Sequence, residues 1–310
     1  MKTVKAVAPY YHKGGINFKH KPYEAWIALG GKTDKTHYPC RALHGLAYRY
    51  ELPLLGKSKK EARLRFVQPY SLFFDSFPDY VQYEIIPFFW DVWPENFEKT
   101  FTWLAKHDIK TAIFTSSQVA EMVQAKFPRM NVLAVTEGID VETYSKGKQL
   151  KDREIDFLEY GRSIDKVVKY KFEGLNVLRG QKNGKNLLTS KQLHEGLQNS
   201  KVVAAYTKKW TNPEQAGEID TLTQRYWECM LSGCIMIGHA PIELVDFIGF
   251  NPVIEIDRKM PNEQLESVLD NIANFQDLVD RNREVAIKYG DWKYSMQRVM
   301  IFLQAKGYNI

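Results

Sequence analysis

Two acids eight residues apart, Asp220 and Glu228, stand in the segment Asp220-Thr-Leu-Thr-Gln-Arg-Tyr-Trp-Glu228-Cys-Met-Leu-Ser-Gly233-Cys-Ile-Met-Ile-Gly238. The pattern predicts a helix from Leu222 to Leu231, a Ser-Gly turn, and an apolar strand from Cys234 to Gly238. On that helix Asp220 sits at the N-terminus, among backbone N–H groups that have no intrahelical acceptor. Glu228 lies roughly two turns further along the same side. Such an arrangement suits a phosphorylated sugar: the helix start attracts phosphate, and a carboxylate accepts two neighbouring hydroxyls bidentately. Asp220 has a second reading as a plain N-cap. Arg225, inside the helix, turns either in toward the phosphate or out to solvent.

The elements around this segment alternate. The apolar runs 81–89, 111–115 and 132–135 read as strands. The amphipathic stretch 95–106, with Phe97, Phe101 and Leu104 on one face, and the Ser-started 117–127 read as helices. Earlier, Val4 to Pro9 reads as a strand before a Gly14-Gly15 loop, 23–29 and 40–50 as helices, and 65–68 as a strand. Beyond the polar stretch 146–153 the alternation resumes, with strands at 155–160, 202–206, from Ile235 and at 252–256, and helices at 190–198, 262–271, 275–289 and 292–305. Strand-helix repetition of this kind predicts α/β architecture with parallel sheets covered on both faces. At 310 residues two domains are expected, with the boundary in the charged stretch.

In open α/β sheets ligands bind beyond the carboxyl ends of the strands. Gly161-Arg162 follows the strand at 155–160, where a guanidinium can grip a diphosphate, and Lys166 or Lys169 can add a point charge. Of the histidines, His12 in the glycine loop is the best candidate. His107, His194 and His239 read as surface or core residues, although His239, directly after a strand, could border a nucleotide. Cys40, Cys229 and Cys234 form no C-x-x-C pair and read as buried thiols.

The acid-x7-acid segment resembles the signature of the GT-B glycosyltransferases, in particular the retaining group 1 or family 4 enzymes, with Asp220 in place of the usual first Glu. Pro87-Phe-Phe-Trp-Asp-Val-Trp-Pro94, Phe114-Thr-Ser-Ser117, Glu137-Gly-Ile-Asp140 and Tyr160-Gly-Arg162 stand in the order and at about the spacing that this family shows. The resemblance covers most of residues 80–260. It implies two Rossmann-like domains whose parallel sheets face a central cleft: an acceptor-side domain over 1–148, a nucleotide-sugar-binding domain over 149–291, and a C-terminal helix over 292–310 crossing back to the first. It further implies transfer of a sugar from a nucleotide sugar to a hydroxyl acceptor, with retention, in the synthesis of cell-surface polysaccharide or glycolipid.

By the same resemblance the donor is bound by Gly14, Gly15, Gly161, Arg162, Lys166 or Lys169, Thr223, Gln224 and Glu228, with Arg225 a further donor candidate from its place in the helix, and catalysis falls to Asp91, Asp220 and Arg162. Trp90 stands where much of the group has a His near the reaction centre. A tryptophan is neither acid nor base, so either Asp91 supplies the polar contact or the site works by positioning alone. No zinc spacing, P-loop, Gly-x-Ser-x-Gly or Asp-x-Asp occurs. No metal and no cofactor are expected, the nucleotide sugar being substrate.

Residues 1–70 hold 14 Lys or Arg against four acids, and the remaining 240 residues are net −4. A basic region interleaved with tyrosines points to an anionic partner, either the inner face of a membrane or, less favoured, nucleic acid. The nucleic-acid alternative is a DNA-base glycosyltransferase or a binder. A further one is a nucleotide-sugar epimerase or hydrolase on the same architecture. No apolar run approaches the roughly 18 residues that span a bilayer, and Lys5 and Pro9 interrupt the start too early for a signal peptide, so a cytoplasmic protein is expected.

Overall fold

The computed structural model of the chain describes residues 1–9, 20–35, 46, 50, 58–165, 167–182 and 185–310; at 181, 182, 185 and 186 it describes the backbone alone. The chain divides into two units, Met1–Thr136 with Trp292–Ile310, and Glu137–Asp291. Residues 137–148 thus sit in the second unit, ahead of the charged stretch at 146–153. Trp227 donates its indole N–H to the Glu137 carbonyl at 2.8 Å, and Ile139 N–H bonds Gly290 O at 2.8 Å.

The first unit carries strands β1 (Lys2–Val7), β2 (Thr33–Asp34), β3 (Glu61–Val67), β4 (Glu84–Phe89), β5 (Thr111–Phe114) and β6 (Asn131–Ala134), all parallel, with Tyr308–Asn309 added beside β1. Ala6 pairs with Thr33 on one edge and Leu64 on the other, so β2 and β3 flank β1, and β4, β5 and β6 extend the sheet outward from β3. Strand β4 is buried along its whole length, as a parallel strand covered on both faces must be. It begins only at Glu84, because 79–82 forms a short helix. Strand β3 begins at Glu61 rather than near Arg65, with Arg63 inside it. Arg65 bonds Asp79 at 2.8 Å, and Arg63 bonds Asp34 at 2.7 Å and Glu61 at 3.0 Å.

The helix Trp292–Ala305 buries Trp292, Met296, Val299, Met300 and Leu303, the three- and four-residue spacing of one helical face, and packs against the helix His20–Ala28. Trp26, Phe66, Phe88 and Trp90 complete that core.

The second unit carries β7 (Ile155–Glu159), β8 (Val177–Arg179), the antiparallel hairpin β9 (Gln181–Lys182) and β10 (Lys185–Asn186), then β11 (Ser200–Ala205), β12 (Ile235–Gly238) and β13 (Val253–Glu255). Its parallel sheet runs β13-β12-β11-β7-β8. Phe157 pairs with Val177 on one edge and Val202 on the other, so the winding reverses between β7 and β11. A crevice outside the carboxyl ends of those two strands is where such a sheet binds ligands. The helix Gln224–Ser232 covers the sheet with Tyr226, Trp227, Cys229, Met230 and Leu231 buried, and ends at Gly233, whose φ of 69° is the left-handed conformation that glycine adopts freely. Among the described residues, no helix is long and apolar enough to cross a membrane.

Candidate functional site

At the reversal point, β7 runs out into Tyr160-Gly161-Arg162 and β11 into Tyr206-Thr207. Gly161 has φ 76°, a left-handed turn that favours glycine. A Cβ there would fall 1.8 Å from Nη2 of Arg225, so the turn and the guanidinium occupy the same cradle. Arg225 therefore turns inward. It retains 9% exposure, lies 5.0 Å from the centre of the Tyr160 ring, and its Nη1 is buried with no hydrogen-bond partner.

The helix begins at Gln224, two residues later than its pattern predicts, with Thr223 at the N-cap making no side-chain cap bond. Asp220 consequently lies outside the helix rather than at its first turn. Its carboxylate accepts from the Thr207 hydroxyl and, at 2.8 Å, meets Nε2 of His239. The competing attraction is an imidazole held from both sides, since Nδ1 of His239 lies 3.2 Å from Glu255. Burial works against a charged imidazole, but the bonds to Asp220 and Glu255 outweigh it and raise the His239 pKa to about 9. Burial likewise disfavours the Asp220 carboxylate, yet the hydrogen bonds from His239 and Thr207 hold its pKa below the ordinary value. Trp210 stacks on the imidazole at 4.7 Å, and the Arg258 guanidinium lies 4.1 Å from the Trp210 ring centre.

Glu228 belongs to a separate constellation. Tyr144 donates to one carboxylate oxygen and Tyr160 to the other, each at 2.8 Å, and the carboxylate stays partly exposed. Burial first, and the neighbouring Glu228 second, push the Tyr144 hydroxyl far above its ordinary pKa, so it is a permanent donor. His194 packs edge-on against Tyr144 at 4.6 Å. The two acids that the spacing sets on one helix side thus answer to different partners. The Tyr144 clamp was invisible in the sequence, 84 residues away, whereas Tyr160 stands directly before the glycine of a strand-end motif.

Arg162 is half-exposed beside Gly161, Thr223 and Gln224 are half-exposed at the helix start, and Lys169 is exposed with no ion-pair partner among the described residues. Gly14, Gly15, His12, Cys40 and Lys166 lie outside the described residues. In the first unit, Asp91 is exposed just beyond β4 with φ 51°, and Trp90 packs against Phe66, Phe88 and Trp292 with 1% exposure. Trp90 is therefore a core residue. His107 lies between Tyr80 and Trp103, and Cys229 and Cys234 are buried free thiols.

No family model and no curated protein sequence matches the chain. Solved structures do. Sucrose-phosphate synthase from Thermosynechococcus elongatus is similar at 12% identity and a TM-score of 0.60, over 99% of both chains. HepE from Anabaena, solved with UDP-glucose, is similar at 9% identity and a TM-score of 0.60, over 98% of this chain and 100% of that one. AviGT4, a glycosyltransferase of avilamycin A biosynthesis, is similar at 11% identity and a TM-score of 0.51, over 99% and 98%. At such identities the likeness concerns architecture. Two parallel α/β units, matched end to end by these structures, make the fold of this chain GT-B.

Proposed function

We propose that this chain is a glycosyltransferase that moves a sugar from a nucleotide-sugar donor to a hydroxyl acceptor, holding the donor on the second unit. The observation that carries the reading is the Glu228 carboxylate, partly exposed and oriented by two tyrosine hydroxyls at 2.8 Å. A carboxylate offers about four lone-pair sites, so two remain for the vicinal hydroxyls of a ribose. Four residues toward the N-terminus, about 6 Å along the axis, is the start of the same helix, which no side chain caps and which suits a phosphate. Similar architecture in HepE, solved with UDP-glucose and with UDP, supports a nucleotide donor.

In this reading, positive charge at the Gly161-Arg162 turn, from Arg162 and a lysine such as Lys169 or Lys166, and the helix dipole stabilise the diphosphate as it leaves. No protein nucleophile and no divalent ion are needed, and Asp220 supplies a polar contact to the sugar. Retention at the anomeric carbon and a cell-surface polysaccharide or glycolipid acceptor are the finer parts of the proposal. Among the described residues, contact with an anionic membrane surface would rest on exposed cations such as Lys59 and Lys60, because Lys2, Lys5, Arg63 and Arg65 are paired with carboxylates.

A thermal-shift panel of UDP, GDP, CDP and ADP sugars tests the donor. One of them, at 100 times its dissociation constant, stabilises the protein by about 2.7 kcal/mol. Transfer to an added glycan acceptor then persists in EDTA. A panel in which no nucleotide shifts the transition would overturn the reading.

A further inference from the structure

We infer that Arg225 is the principal phosphate ligand of the second unit, reaching the donor's diphosphate from beneath the Gly161 turn. This deepens the donor reading and rests on it. The family pattern assigns the diphosphate to an arginine directly after the strand and a lysine a turn later. Here Arg162 is half-exposed and Lys169 is exposed. Arg225 is the cation that the fold has prepared. It occupies the second position of the nine-residue helix Gln224–Ser232, so its charge stands in the first turn, beside backbone N–H groups that precede the first intrahelical bond. A cation in that turn is opposed by the helix dipole, and a bound anion removes the conflict.

Three observations converge on the guanidinium. Nη1 is buried with no acceptor, in a side chain only 9% exposed, although a buried guanidinium is ordinarily saturated with bonds. Nη2 lies where a Cβ on residue 161 would stand, so glycine is required there and the backbone turn can close over the ligand. The plane is propped against the Tyr160 ring, whose hydroxyl in turn bonds Glu228, which ties the phosphate group of the site to its hydroxyl-binding group. The nearby acid, Glu159 at the end of β7, accepts from the Ile164 N–H at 3.4 Å and forms no ion pair with Arg225 among the described residues. Arg225 is thus oriented, with Nη1 lacking an acceptor, at the point where the sheet reverses. An oxyanion of a diphosphate supplies the missing acceptor, bidentately.

Calorimetry with inorganic pyrophosphate and with UDP, at low salt, tests this. The wild-type protein should bind both, and Arg225→Met, which keeps the stem against Tyr160, should lose roughly ten- to a hundredfold for each. Arg225→Lys should recover part of that loss, and Arg162→Met should lose less than Arg225→Met. The dependence of pyrophosphate affinity on salt should be shallower in Arg225→Met, a change that a packing role alone would not produce. Gly161→Ala keeps every charge but displaces the guanidinium, so it should match Arg225→Met, and it decides the matter together with Arg225→Lys if Arg225→Met does not fold. Wild-type affinity in Arg225→Met or in Gly161→Ala, or a larger loss in Arg162→Met, overturns the inference while leaving the donor reading intact. A wild-type protein that binds neither pyrophosphate nor any nucleoside diphosphate overturns both.

Discussion

Among the described residues four arginines are buried, Arg63, Arg65, Arg153 and Arg225. Arg63 also has an Nη1 without a partner but meets Asp34 and Glu61 through Nη2, and the surroundings of the other three separate structural charge from charge held in reserve. In the first unit Arg65 is 1% exposed and meets the Asp79 carboxylate at 2.8 Å and the Asp75 carbonyl. In the second unit Arg153 is 3% exposed and donates to the carbonyls of Lys148, Ser200 and Ser232, tying the start of β7 to the end of the helix Gln224–Ser232. Arg225, 9% exposed, has a turn of backbone, an aromatic face and an orphaned Nη1. Burying a guanidinium is costly wherever it occurs, and the cost is offset within the fold for Arg65 and Arg153. For Arg225 the fold leaves it open, and it lies among groups that suit a phosphate and a ribose. The contrast supports the proposed phosphate site more sharply than exposure or charge count would.

The largest effect that could break the contrast is on stability. Asp79→Ala strands the Arg65 charge in the first unit, and losing one partner of a buried pair costs about 3–5 kcal/mol. Arg225→Met removes no hydrogen bond or ion pair seen among the described residues, only the contact of the guanidinium with the Tyr160 face, and should cost no more than about 1–2 kcal/mol. Denaturant unfolding of both variants checks this, and equal losses would erase the distinction between the two arginines.

A smaller effect concerns pH. The His239 pKa, raised from 6.5 to about 9, exceeds its unfolded value, so its contribution to stability is fully present below 6.5 and is lost as pH rises through 9. Asp220 and Glu255, both lowered, contribute above their ordinary values and lose that contribution as the solution is made more acidic. The second unit should therefore weaken between pH 6.5 and 9 by at most about 3 kcal/mol. His239→Gln should flatten that slope in a melting series. An unaltered slope would show that the imidazole is not held as an ion.

The smallest effect is local to Glu228. Tyr144→Phe removes one of the two hydroxyls that orient the carboxylate and should weaken nucleotide binding about tenfold, as expected for one hydrogen bond to a charged group. Its melting temperature should move little. Affinity unchanged in Tyr144→Phe would leave Tyr160 alone as the orienting group.

The apolar runs of β4, β5, β7 and β12 and the amphipathic face of Trp292–Ala305 were legible in the sequence, because burial on a strand or a helix face imposes a period on residue type. Strand β3 was foreshortened at its start, since Glu61 and Arg63 read as polar where the fold pairs them with each other and with Lys5 and Asp34. Strand β8, three residues before a hairpin, carries too little pattern to see. Within the site, Glu228 and the Gly161-Arg162 turn stood out by spacing, whereas the Tyr144 clamp and the pairing of Asp220 with His239 are contacts across loops, which leave no period. The choice for Arg225 between solvent and site depended on a glycine 64 residues away, and only geometry settles it.

The central claim is that the second unit holds a nucleotide through Glu228. Calorimetry of the best nucleotide from the donor panel with Glu228→Ala and Asp220→Ala tests it most directly. Two charge-assisted bonds to ribose hydroxyls, each about 1.5–3 kcal/mol, predict a loss of a hundredfold or more in Glu228→Ala and a smaller one in Asp220→Ala, whose carboxylate is engaged by His239 and Thr207. An unchanged dissociation constant in Glu228→Ala would contradict the account.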